Sequence, residues 1–212
     1  MAEKVNIYEA CDKAIKAMNR ENLEAFGKLK LANFDELNVI KTVTGVYKTS
    51  AKRARKRYYE VAFEAFLLAM AMCGIPPKKA HQMAEKAITE EWVDVILTDT
   101  DPVTLYRFDT ETERKAYRLA EALEVTTDKD YEINKALRFW SQQLGQYAIN
   151  VTDYGVIEAF EEAGIRNVMW VTMHDERVCT ECSSYDGKIY KLDEIPIKHW
   201  NCRCRLVPVR SK

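Results

Sequence analysis

Val178-Cys179-Thr180-Glu181-Cys182, then sixteen residues, then His199-Trp200-Asn201-Cys202-Arg203-Cys204, holds four of the chain's six cysteines and one of its three histidines. A C-x2-C pair followed after a hairpin-length gap by H-x2-C is the spacing of a tetrahedral zinc site. Each short pair supplies two ligands from one tight turn, and the gap lets the second pair fold back onto the first. Five candidate ligands compete for four places. Cys179, Cys182, His199 and Cys202 make the familiar set. Cys204 is the alternative to His199 or Cys202, because side chains two apart in a strand point the same way. The plain alternative is that these are small buried hydrophobes or a disulfide pair. A zinc closed by four protein ligands is structural, since a catalytic one keeps a position for water.

The texture on either side of Gly164 differs. Gly and Pro are sparse through the first 160 residues, which suits long helices. Helices are expected at 2–19 (Val5, Tyr8, Cys11, Ile15, Met18), 21–31, and 46–73. The last carries an Ala51, Ala54, Tyr58, Val61, Ala62, Ala65, Ala69 stripe. Gly74 to Pro77 stops that helix and starts another, reaching about Leu97. Thr98 to Pro102 reads as a loop. Helices follow at 110–124, capped by Asp109 or Thr110, and at 129–149 (Ile133, Leu137, Trp140, Leu144, Tyr147). A last one is capped by Thr152 or Asp153 and closed by Gly164. Then Asn167 to Met173, Gly187 to Tyr190 and Arg203 to Val209 read as strands. The expected fold is mainly α: a multi-helix region, 1–164, and a small α+β or β-hairpin unit, 165–212, stapled by zinc. A unit of that size buries too little apolar surface to stand without a staple or a docking surface.

Around the cysteines stand Trp170, Asp175, Val178, Gly187, Tyr190, Pro196, Asn201 and Arg203 in fixed order. Over about residues 165–209 this string resembles the C-terminal signature of the phage head morphogenesis family, minor head proteins of the bacteriophage Mu protein F type. Upstream, Thr152-Asp153 stands where that family has a Thr-Glu pair, and no residue role is carried over to that helix. The resemblance implies a non-catalytic virion component, assembled in the bacterial cytoplasm. It implies a place inside the capsid near the portal, with portal and capsid proteins as partners, and a part in head assembly and DNA packaging or delivery.

The net charge of −1 hides an uneven spread. Residues 1–75 carry 13 Lys/Arg against 9 Asp/Glu, 76–164 carry 10 against 18, and 165–212 carry 9 against 6. Lys48, Lys52, Arg53, Arg55, Lys56 and Arg57 are candidate contacts to DNA or to an acidic partner. A solvated helix start is the simpler reading of them. Trp140, Trp170 and Trp200 are expected to be core or packing residues. Asp175 reads as a turn cap and His174 as a surface residue, although the pair also has the look of a nuclease dyad. Two other function classes stay open: a zinc-dependent nuclease, and a module that binds DNA or a host factor. No Walker loop, dinucleotide glycine pattern, H-E-x-x-H or nucleophile elbow occurs. The N-terminus lacks the apolar run of a signal peptide, and no run is long enough to span a bilayer. Clustered cysteines without a secretion signal favour metal over disulfides.

Overall fold

A computed structural model describes residues 7–34, 38–98 and 107–209. Among them lie seven helices and three strands: α1 (Tyr8–Lys30), α2 (Val39–Met72), α3 (Pro77–Ala87), α4 (Glu90–Thr98), α5 (Phe108–Val125), α6 (Lys129–Glu162), β1 (Asn167–Val171), α7 (Thr180–Tyr185), β2 (Ile189–Lys191) and β3 (Arg205–Val209). No described helix is long and apolar enough to cross a membrane. Val5 and residues 99–102 of the expected loop lie outside the described residues, and Thr98 is the last residue of α4.

α1, α2, α5 and α6 form a bundle. Asn22 meets Ser50 and Phe26 meets Tyr47, so α1 runs antiparallel to α2. Ser50 meets Trp140 and Tyr58 donates to the Leu144 carbonyl, so α2 and α6 run the same way. Phe108 packs on Tyr58 and Asp109 pairs with Arg55, which sends α5 back down α2. The centre is aromatic: Tyr47, Tyr58, Phe108, Trp140 and Tyr147 pack edge-on or tilted, except that Phe108 and Trp140 stack at 24°. One polar chain threads it, with Trp140 Nε1 donating to Ser50 Oγ (2.8 Å) and Ser50 donating to Asn22 Oδ1 (2.5 Å). Every buried donor there has an acceptor, so the chain fixes which helices face each other without an unpaired group.

The alanine stripe of α2 is buried as the periodicity predicts. Where it crosses α6, a Cβ added to Gly155 would stand 2.8 Å from the Ala62 carbonyl oxygen. Gly155→Ala therefore forces two backbones apart. The expected cost is about 2 kcal/mol, read as a lower midpoint in chemical unfolding. Gly145→Ala is the control: its Cβ meets only the Ile15 side chain at 3.7 Å or more. It should be neutral or stabilise by up to ~1 kcal/mol through helix propensity.

Several predicted boundaries are corrected. The helices expected at 2–19 and 21–31 are, within the described residues, one helix, because Met18, Asn22, Phe26 and Leu29 continue one buried row. α2 begins seven residues early. Asn38 Oδ1 caps it at the Lys41 N–H (2.9 Å), and the helix runs through exposed Gly45 because Val43 and Tyr47 are buried. The helix expected to reach Leu97 breaks at Ile88, and Thr89 Oγ1 caps the next one at Trp92 N–H. α5 starts after Arg107 with no side-chain cap, since Asp109 is drawn to Arg55. Thr152 and Asp153 cap nothing: α6 is continuous, and Thr152 donates back to the Ala148 carbonyl.

Gly164 does end α6, at φ +70°, with Ile165 N–H closing onto the Phe160 carbonyl. After it β1 lies between β2 and β3, antiparallel to both. Trp170 exchanges its backbone bonds with the β2 side, so Asn167, Met169 and Val171 face β3. Pro208, opposite Val168, therefore turns its missing N–H to the open edge, which blunts that edge against further pairing. Val168, Trp170 and Leu206 are buried in the same contiguous core as the helices. Trp140 and Trp170 are core residues as expected, whereas Trp200 is 38 % exposed. Its neighbours His199 and Cys202 turn inward instead.

Candidate metal centre

α7 was not foreseen as an element, and it explains the first cysteine pair. Cys179 is its N-cap, and its Sγ accepts the Cys182 N–H at 3.3 Å. That hydrogen bond, formed at a helix start, lowers the Cys179 pKa and favours the thiolate. Cys182, one turn on, points into the core. Burial pushes its thiol pKa up, and pushes that of Cys202 up to about 11. Thiols with such costs stay protonated unless a cation compensates them, and a metal is the compensation that several converging thiols allow.

The second group comes from a tight turn. Cys202 N–H donates to the His199 carbonyl (3.1 Å), with Asn201 at φ +59°, a conformation Asn tolerates better than most residues. Asn201 N–H donates to Oε1 of buried Gln146 on α6, which pins the turn to the bundle. His199 Nδ1 donates to the Trp200 carbonyl at 2.8 Å. That bond leaves the lone pair on Nε2, which lies 3.3 Å from Cys179 Sγ and 3.1 Å from Cys182 Sγ. Cys182 Sγ is 3.7 Å from Cys202 Sγ.

All five residues singled out by spacing thus come together in two overlapping triplets. One is Cys179, Cys182 and His199; the other is Cys182, Cys202 and Cys204. Cys182 is the shared member. A Zn–S bond of about 2.3 Å makes a tetrahedral S–S edge of about 3.8 Å, close to the Cys182–Cys202 separation. The hollow among them is about 20 Å³, room for one small ion. The cluster can hold a metal, and its donors, soft sulfur plus one imidazole, suit zinc.

Two flanking contacts hold the frame. Arg203 donates to both oxygens of Asp175 at 2.9 and 2.8 Å, and Asp175 also accepts the Arg177 N–H. Asp175 is therefore a turn cap, as predicted, with its pKa lowered first by Arg203. His174 sits on the surface and faces Asp186 at 3.6 Å, not Asp175. The two halves of the nuclease-like dyad are turned to different partners.

The second contact was missed entirely. Lys198 has three ammonium protons and three acceptors: Asp153 Oδ1 (2.7 Å), Tyr8 Oη (2.7 Å) and the Cys204 carbonyl (2.5 Å). Tyr8 in turn donates to Asp153 at 2.5 Å. Burial, then the Asp153 charge, raises the Tyr8 pKa well above its usual value. This latch ties the start of α1 and the middle of α6 to the cysteine turn. Spacing gave no hint of it, because its members stand up to 196 residues apart.

Of the six basic residues at 48–57, two are consumed internally. Arg55 bridges Asp94 and Asp109, and Arg57 pairs with Glu21. Lys48, Lys52, Arg53 and Lys56 are exposed.

No curated protein and no solved structure matches this chain. Residues 112–207, which take in most of α5, the whole of α6 and the sheet unit to the middle of β3 with its Cys/His cluster, match the family described as Phage Mu protein F like protein, so the likeness read at 165–209 extends upstream into two helices of the bundle.

Proposed function

We propose that this protein is a phage head-morphogenesis component, a non-catalytic minor head protein that sits with the portal inside the capsid and acts in head assembly and DNA packaging or delivery. The observation that carries the reading is the family match over 112–207, which includes every candidate metal ligand. In this reading the Cys/His cluster holds one structural zinc through Cys179, Cys182, His199 and Cys202, with Cys204 beside them. Four protein ligands leave no position for a substrate water, so the metal's contribution is to the fold. The protein then acts through surfaces. The acidic middle, 76–164, meets portal or capsid protein, because it would repel packaged DNA.

Mass spectrometry of purified virions of the phage that encodes this chain is the direct test. The chain should be present, in few copies relative to the major capsid protein. Its absence from mature particles overturns the virion reading, and metal-dependent cleavage of DNA by the isolated protein overturns the non-catalytic one.

A further inference from the structure

We infer that the outer face of α2 is a contact surface for the phosphate backbone of duplex DNA, built from Lys41, Lys48, Lys52 and Lys56 with Arg53 beside them. The inference deepens the proposed role by naming the DNA-facing surface, and as a statement about packaged DNA it rests on that role. Its physical basis is separate. From Val39 to Tyr59 the helix carries seven Lys/Arg and no acidic residue. At about 100° per residue, the four lysines fall within an arc of about 80°, opposite the buried Ala51–Ala54–Tyr58 stripe. All four, and Arg53, are exposed, and none has an ion-pair partner among the described residues. Arg55 and Arg57, which the bare sequence groups with them, are excluded by their bonds to Asp94, Asp109 and Glu21. Lys41, which lay outside the sequence-read cluster, joins because α2 starts at Val39.

The row spans sixteen residues, about 22 Å of helix. Successive lysines at 48, 52 and 56 stand roughly 6 Å apart along the axis, one per helical turn. Backbone phosphates ask for density of positive charge and little else. A protein partner would ask for an apolar or aromatic anchor at the centre of the patch. Between Lys48 and Lys56 the exposed residues are Thr49, Lys52 and Arg53, with no apolar side chain among them. The surface therefore fits a polyanion that is read by charge and not by sequence.

The test is binding of the full-length protein to a labelled DNA duplex as salt is varied. Four lysine contacts predict a slope of log affinity against log salt of about −3.6, hence a loss of roughly 150-fold between about 50 and about 200 mM. The triple variant Lys48→Ala, Lys52→Ala, Lys56→Ala should reduce the steepness by about 3 and leave the thermal midpoint unchanged, since these side chains support no internal contact. Lys78→Ala, Lys79→Ala, Lys86→Ala removes the same charge from exposed positions on α3 and should bind like the parent. The inference is overturned if both triple variants weaken binding equally, or if the parent shows no salt dependence. It is also overturned if polyglutamate competes as well as unlabelled duplex, which would reassign the face to an acidic protein. Binding in this assay does not depend on whether the chain is found in virions, so the two readings fail separately.

Discussion

Stripped of metal by a strong chelator, or carrying Cys182→Ser, the protein should lose about 4 kcal/mol of stability, seen as a fall of roughly 10 °C in Tm. Purified without added metal, it should contain about one zinc per chain. Cys182 is the most sensitive position because both triplets share it and because it is 2 % exposed. Without the ion its thiol and those of Cys202 and Cys204 crowd one another in the core with no compensating cation. The loss should fall below the full binding energy of an isolated zinc module, since the sheet also rests on the bundle through Val168, Trp170 and Leu206. Cys204→Ser separates the ligand sets: retention of zinc leaves Cys202 as the fourth ligand, and loss moves that role to Cys204. Less than about 0.2 zinc per chain, with a Tm indifferent to chelator, would discard the metal reading altogether.

Lys198→Met should cost about 3 kcal/mol, although no ligand is touched. Lys198 and Asp153 side chains are 11 % and 15 % exposed, and the lysine serves three acceptors at once. Its removal leaves the largely buried Asp153 carboxylate without a counter-charge, and leaves Asp153 and the Cys204 carbonyl to share the one proton of the Tyr8 hydroxyl. The double variant Lys198→Met, Asp153→Leu should recover much of the loss, because an apolar pair carries no desolvation penalty. A thermodynamic cycle with no coupling between the two positions would show that the latch contributes nothing. Partial unwinding of α1, read by faster amide exchange beyond Tyr8, is the expected local signature in the single variant.

The cluster and the latch mark the two ways in which this chain could be read. The cysteines and His199 were visible because metal ligation imposes short, regular spacings on the sequence itself. The same holds for the buried stripe of α2 and for Gly164, where a 3.6-residue period and a left-handed turn leave local traces. The predicted breaks at residue 20, at Gly45 and at Thr152 did not occur. At each, a local signal worth at most about 1 kcal/mol met a continuous buried row that outweighed it. At Ile88 the reverse held: the chain turned where no proline or glycine announced it, so that α4 could set Asp94 against Arg55 and Trp92 against Glu158.

The sequence by itself determined the mainly helical class, the change to strands after Gly164, and the five residues of the candidate metal centre. Each follows from periodicity or spacing within a few turns of chain. Only the tertiary structure decided which cations of α2 are free, and that α1 and α6 reach the cysteine turn through Tyr8, Asp153 and Lys198. It also decided that His199 offers Nε2, because Nδ1 is spent on a carbonyl. The physical reason is range. Charges and hydrogen bonds are satisfied by whatever the fold brings within about 3 Å, and that proximity joins residues whose separation in sequence carries no information about it.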